Sequence, residues 1–311
     1  MSKINVYEMV TDRILAELEK GNIPWHKPWI MPAVTYKGVK ISVDPTQYAY
    51  SRSTGKPYSL LNQMLLQRPG EWATYNQITE AGGKVRKGEK GSVVVFWKFI
   101  DTKETNAKGE EETRKIPYLK YYTVFHIETQ AEGIKPKAKG AHDVVAVPEQ
   151  TKLDQKWAAI EEADAICRAY FERSGVTYNE RENSDRAFYR PATDSIETPA
   201  KAQFKSGAEY YGTLFHEMAH STGHKSRLNR FDAAGSHAFG SENYSKEELV
   251  AELSASALVN LLGIETEKSF RNNAAYIQSW AKALRDDKKL IVSASGKAEK
   301  AVNYILSGEI A

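Results

Sequence analysis

At 311 residues the chain has room for two domains of ordinary size, each with a core of its own. Its 41% hydrophobic and 27% charged residues exclude a disordered chain, and no apolar run nears the roughly 20 residues of a membrane-spanning helix. The net charge of +3 conceals an asymmetry: residues 1–150 carry 22 Lys/Arg against 17 Asp/Glu, and residues 151–311 carry 21 against 23, so the N-terminal half is the one suited to an anionic partner.

In chain order, Met1-Ser-Lys-Ile-Asn has a charge where a signal peptide needs an apolar run. A single cysteine, Cys167, rules out an intrachain disulfide. Both features predict a cytoplasmic protein. Tyr7, Val10, Ile14 and Leu18 recur at helical spacing, and Gly21-Asn22 with Pro24 ends that helix. Residues 93–97 and 121–125 are dense in β-branched and aromatic residues and read as buried strands, with residues 101–116 as an exposed polar hairpin loop. Residues 129–152 hold Gly133, Pro136, Gly140 and Pro148 without periodicity and read as a linker between domains at 1–128 and 153–311.

The second half opens on a helix through Trp157, Ile160, Ala163, Cys167 and Tyr170, whose apolar face marks Cys167 as a core thiol. Short strands are expected near 176–178, 187–189 and 195–196. A helix over about 208–222 ends at Gly223, and another over 246–262 has Ser245 as its N-cap and Glu248 as capping-box partner. A further helix is expected near 276–284. The fold class is α+β in two domains.

His216-Glu217-Met218-Ala219-His220 carries the chemistry. Residues four apart on a helix share one face, so both imidazoles reach the same space, as a zinc ion requires. Glu217 lies beside them, placed to act as a general base on a zinc-activated water. A catalytic zinc takes three protein ligands and leaves one position open. A metzincin would supply a third histidine ten positions after the first, but that position is Ser226. A gluzincin supplies a glutamate from the next helix, which offers Glu247, Glu248 and Glu252, with small Ala251 and Ala255 allowing close helix packing. Glu248 is the expected ligand, and Glu252 is either its hydrogen-bonding support or the ligand itself. His224 and the tyrosines Tyr210 and Tyr211 read as structural residues.

The N-terminal half interleaves aromatics with cations. Trp72 and Tyr75 precede Lys84, Arg86, Lys87 and Lys90 in a glycine-rich stretch. Bases stack on flat rings for about 1–3 kcal/mol each while lysine and arginine neutralise phosphates, so these six residues are candidates for holding single-stranded DNA. The bland alternative is a set of core rings beside a solvated turn.

Several spaced stretches extend over nearly the whole chain: Trp25-x3-Trp29, Thr54-Gly55-x2-Tyr58, Gly83-x-Val85-x-Lys87-Gly88-Glu89-Lys90-Gly91, Pro191-x2-Asp194-x-Ile196, the segment from Tyr210 to Leu228, and Tyr244-x3-Glu248-Leu-Val-Ala-Glu252. In these the chain resembles the ArdC-type antirestriction proteins. The resemblance implies an N-terminal single-stranded-DNA-binding domain joined to a C-terminal zincin-like metallopeptidase domain, and the His-Glu-x-x-His spacing predicts one zinc per chain. Tyr50-Ser51-Arg52-Ser53 and Ser59 depart from the family pattern. Two alternatives stay open: a metallopeptidase whose N-terminal domain recruits protein substrates, and a DNA-binding protein with a purely structural zinc. Neither involves a membrane.

Overall fold

The computed structural model describes residues 5–26, 48–105, 111–137, 152–231, 242–264 and 274–308. Helix α1 (Val6–Glu19) starts where the Asn5 side chain accepts from the Tyr7 amide and stops before Gly21, whose φ of 77° suits glycine. Strand β1 (Ala49–Ser51), helix α2 (Leu60–Leu66), strand β2 (Gly70–Thr74) and helix α3 (Tyr75–Glu80) follow. Thr74 and Gln77 close a reciprocal capping box at the start of α3. Short strand β3 (Lys84–Val85) then leads into a long hairpin of β4 (Ser92–Thr105) and β5 (Glu111–His126). The sheet order is β1-β2-β5-β4, with β1 parallel to β2 and the other pairs antiparallel.

Two expectations need correction here. The pairing of β4 with β5 continues through Thr105 and Glu111, so most of residues 101–116 is strand, not loop. The first part of the expected linker is also structured. Helical turn α4 (Ile127–Gln130) and strand β6 (Ala131–Glu132) pair back onto β3, because Ile127 and Ala131 bury against Ile78. Residues 138–151 lie outside the described residues.

The second half begins with α5 (Lys152–Ser174), followed by a small sheet of β7 (Thr177–Arg181), β8 (Phe188–Arg190) and β9 (Ser195–Pro199) in the order β7-β9-β8. Among the described residues, α6 (Gly207–Ser221), α7 (Glu242–Leu261), α8 (Ala274–Asp286) and α9 (Leu290–Ser307) follow. Helix α7 starts at Glu242, so Ser245 lies inside the helix and does not cap it. The sequence reading has no counterpart for α9, whose Leu290, Ile291, Ala298, Val302 and Ile305 are all buried.

One apolar core unites the halves. It contains Val10, Ile14 and Leu18 of α1, Leu61 and Met64 of α2, and the inner faces of α5 to α9. Helix α1 packs on α8 and α9, α2 packs on α9, and Trp25 meets Trp280 edge-on at 6.4 Å. Helices α6 and α7 pack closely because Ala219, Ala251 and Ala255 let their backbones approach. Behind α6, the Tyr170 hydroxyl lies 2.6 Å from Ser221 Oγ, and Cys167 is buried against Met218. Burial pushes the Cys167 thiol well above its ordinary range, which suits a core residue and not a reactive one.

Candidate functional site

Helix α6 carries His216, Glu217 and His220, the first two buried and the third half-buried. Ser206 caps the helix through the Glu209 amide. At the other end Gly223 leaves room for the Phe231 ring, which a Cβ there would meet at 2.6 Å. The chain leaving α6 is pinned by Arg227, which donates to the Ser221 carbonyl at 2.7 Å and is paired with Asp194. Tyr189 also donates to Asp194, at 2.8 Å. His224 sits at this corner, with Nδ1 2.8 Å from Ser226 Oγ, as a helix-end residue.

The Nε2 atoms of His216 and His220 face one another at 3.1 Å. Glu248, presented by α7, brings Oε2 to 3.4 Å from His216 Nε2 and Oε1 to 3.3 Å from His220 Nε2. Tetrahedral bonds of about 2.0–2.1 Å separate donor atoms by about 3.3 Å, so the two imidazole nitrogens and the Glu248 carboxylate, each of whose oxygens approaches one histidine, converge at distances suited to a single zinc ion. His216, His220 and Glu248 form the one group of three or more such side chains among the described residues that could hold a metal ion.

Carboxylates surround this triangle. Glu252 Oε2 is 3.8 Å from His216 Nδ1, a buried nitrogen that makes no hydrogen bond of its own. Glu247 Oε1 is 3.7 Å from His220 Nδ1. Glu252 thus faces a histidine's far nitrogen and stands outside the donor triangle. Glu247 plays the matching part for His220, a role that sequence reasoning missed. Burial opposes charge on His220, but Glu247 and Glu248 outweigh it and raise its pKa to about 10. Glu248 is itself buried, yet the two histidines hold its carboxyl well below the usual range. A metal ion bound here would displace the proton that these carboxylates favour on His220.

Tyr210 and Tyr211 point elsewhere. Their hydroxyls donate to Glu180 and Asp164, and burial and these carboxylates push both well above the ordinary tyrosine range.

The six N-terminal candidates separate. Trp72 is a correction: it is 3% exposed, packs edge-on against His126 at 5.1 Å, and donates to the Arg68 carbonyl, so no base can stack on it. Its position on β2, between β1 and β5, forces it into the core. Tyr75 is exposed at the start of α3. Lys84, Arg86, Lys87 and Lys90 are exposed along the loop leading into β4, with Arg86 donating to the Thr129 carbonyl at 3.1 Å. The departure at Tyr50–Ser53 also has a structural account. Arg52 is paired with the buried Glu71, which in turn accepts from the Lys137 amide at 3.0 Å. Sequence reasoning took the hairpin strands as wholly buried, whereas Phe96, Trp97, Phe99, Tyr118 and Tyr122 are exposed.

Residues 161–297 match a family described as zincin-like metallopeptidase, and residues 4–125 match the N-terminal domain of anti-restriction factor ArdC. Two crystal structures of the antirestriction ArdC protein from the R388 plasmid align over 97% of both chains. The metal-free one has a TM-score of 0.63 at 36% identity and the Mn(II)-bound one 0.64 at 35%. A DNA primase TraC of Escherichia coli is 39% identical over 97% of this chain, but the chain spans only 27% of that primase's length. The uncharacterized protein y4eC of Sinorhizobium fredii is 30% identical over 97% of this chain and 91% of its own. No described helix is long and apolar enough to cross a membrane.

Proposed function

This chain belongs to the ArdC family of antirestriction proteins, and from that premise we propose that it binds single-stranded DNA through its N-terminal domain and hydrolyses peptide bonds at one zinc ion held by His216, His220 and Glu248. The observation that carries the reading is the convergence of His216 Nε2, His220 Nε2 and the Glu248 carboxylate at 3.1–3.4 Å from one another. The zincin-like match over residues 161–297 supports zinc, and the Mn(II)-bound R388 protein supports a divalent ion at this fold.

When bound, the metal supplies Lewis-acid activation of a water. Glu217, next to His216 and buried, is the general base: it takes the proton from the attacking water and returns it to the leaving amine. Glu252 and Glu247, 3.8 and 3.7 Å from the Nδ1 atoms of His216 and His220, are the carboxylates placed to orient the two imidazoles. A purely structural site would have no use for Glu217.

On the nucleic-acid side, the excess of cations in residues 1–100, 14 Lys/Arg against 8 Asp/Glu, and the exposed loop of Lys84, Arg86, Lys87 and Lys90 support an anionic partner. In this reading a cytoplasmic protein coats incoming single strands and shields them from restriction.

The peptidase half is tested by incubating the zinc-loaded protein with an unfolded protein substrate, with and without a single-stranded oligonucleotide. Cleavage by the native chain, abolished in a Glu217→Gln variant that keeps its zinc, is the expected result. No cleavage under any condition would refute the peptidase half and leave the binding half to be judged by oligonucleotide titration.

A further inference from the structure

The outer face of the β4–β5 hairpin has a composition that the core does not explain. Side chains two apart on a strand share a face, and the register sets Phe96 opposite Lys120, Lys98 opposite Tyr118, and Val94 opposite Tyr122. Aromatic rings and lysines therefore alternate both along each strand and across the pair. Phe96, Tyr118 and Tyr122 are 44%, 48% and 40% exposed, and Lys98 and Lys120 are exposed beside them.

This face is built, not frayed. Phe96 meets Tyr122 edge-on at 5.8 Å and leans on Tyr58 at 6.1 Å, while Lys120 Nζ lies 4.9 Å above the Tyr122 ring. Below the rings, Val94 and Val124 close the face into a buried cluster with Tyr58, Leu66 and Trp72. No carboxylate occurs on this face from Val94 to Ile100 or from Tyr118 to Val124. The basic loop of Lys84–Lys90 runs directly into the base of the same hairpin.

We propose that this face is the single-strand platform, with bases stacked on Phe96, Tyr118 and Tyr122 and phosphates held by Lys98 and Lys120. The inference rests on the single-strand reading above and deepens it. Two properties favour a nucleic acid over a protein partner: lysine is depleted from protein–protein interfaces, and an acid-free chequerboard of rings and cations matches a polymer of bases and phosphates. The face favours a single strand because its rings keep 40–48% of their surface exposed to unpaired bases, whereas paired bases would be stacked on one another and unavailable.

The test uses the full chain and a fluorescent oligothymidylate. Tyr118→Ala, remote from the core, should weaken binding about 10-fold or more at fixed salt, with little change in salt dependence. Lys98→Gln with Lys120→Gln should reduce the log–log salt slope by about 1.4, at about 0.7 per phosphate contact. Ultraviolet cross-linking of the native chain to a bromodeoxyuridine oligonucleotide should map to the peptide holding Tyr118 and Tyr122. If the native chain binds the oligonucleotide but these variants bind equally well and cross-links fall elsewhere, the platform is refuted and the single-strand reading survives. Binding of a protein partner, not DNA, through this face would refute it as well. If the native chain binds no single strand at all, both fail together.

Discussion

Arg230 grips Glu247 from two directions, donating from Nη2 at 2.5 Å and from Nε at 3.2 Å, while the same guanidinium holds the Ala219 carbonyl and Thr222. The chain that leaves α6 thus returns to fix the carboxylate facing His220 Nδ1. Removing that grip leaves a buried carboxylate free to turn away from the histidine. Arg230→Met and Glu247→Gln should each lower metal affinity about 10–100-fold without abolishing it, as losses of such supporting contacts do. Competition with a chromophoric chelator measures this, and unchanged affinity in both variants would show that the contact is ornamental.

His220 carries a pH signature. Its pKa in the metal-free fold, about 10, is above the ordinary 6.5, because Glu247 and Glu248 outweigh the opposing effect of burial. A raised folded-state pKa contributes stability that is complete below pH 6.5 and lost as pH climbs toward 10. The metal-free protein should therefore lose thermal stability over that window, and the extra stability conferred by zinc should grow, since the ion replaces the proton. Melting curves at several pH values with chelator and with zinc check the sign. A Glu247→Gln variant should show a shallower metal-free slope.

Because α1 packs on α8 and α9, the two domains should unfold together. Ile14, 1% exposed in the shared core, is the probe. Ile14→Ala should cost about 2–5 kcal/mol and shift the whole chain's denaturation curve in one step. Residues 1–128 expressed alone would expose the apolar face of α1 and should fold poorly. Two separate transitions in the full chain would contradict the continuous core.

The basic loop makes a separate electrostatic prediction. Replacing Lys84, Arg86, Lys87 and Lys90 by Ala should flatten the salt dependence of oligonucleotide binding by up to about 2.8 log units per log unit of salt, at about 0.7 per contact. Tyr75→Ala, at the neighbouring start of α3, should leave the slope alone and lower affinity only if that ring also stacks. Fluorescence anisotropy over a salt series reads both.

Much of the zincin-like half was legible in the sequence because its signals are local. The two histidines and Glu217 sit within five residues on one helix, and alanines at 251 and 255 announce a close helix pair. Glu247 and Arg230 were not legible in their roles, since which nitrogen each carboxylate faces depends on the rotation of α7 against α6. Trp72 misled for the same reason: composition shows a tryptophan among cations, but only the strand order β1-β2-β5-β4 reveals that it is enclosed. The hairpin misled in the opposite direction. Residues 93–97 and 121–125 look uniformly apolar, and the alternation of Phe96 with Lys98 and of Tyr118 with Lys120 gains meaning only once the register sets them opposite one another. Helix α9 was hidden behind small residues, Ala294, Ser295, Gly296 and Ala298, which dilute its periodic signal.

Zinc stoichiometry, measured by mass spectrometry on four purified proteins handled alike, tests the central claim most directly. The native chain should carry one zinc per molecule, Glu217→Ala should keep it, and Glu248→Ala should lose it, while Glu252→Ala, assayed alongside, should lose far less. Zinc lost from Glu217→Ala and retained by Glu248→Ala would contradict the account, because Glu217 would then be a ligand and could not serve as the base.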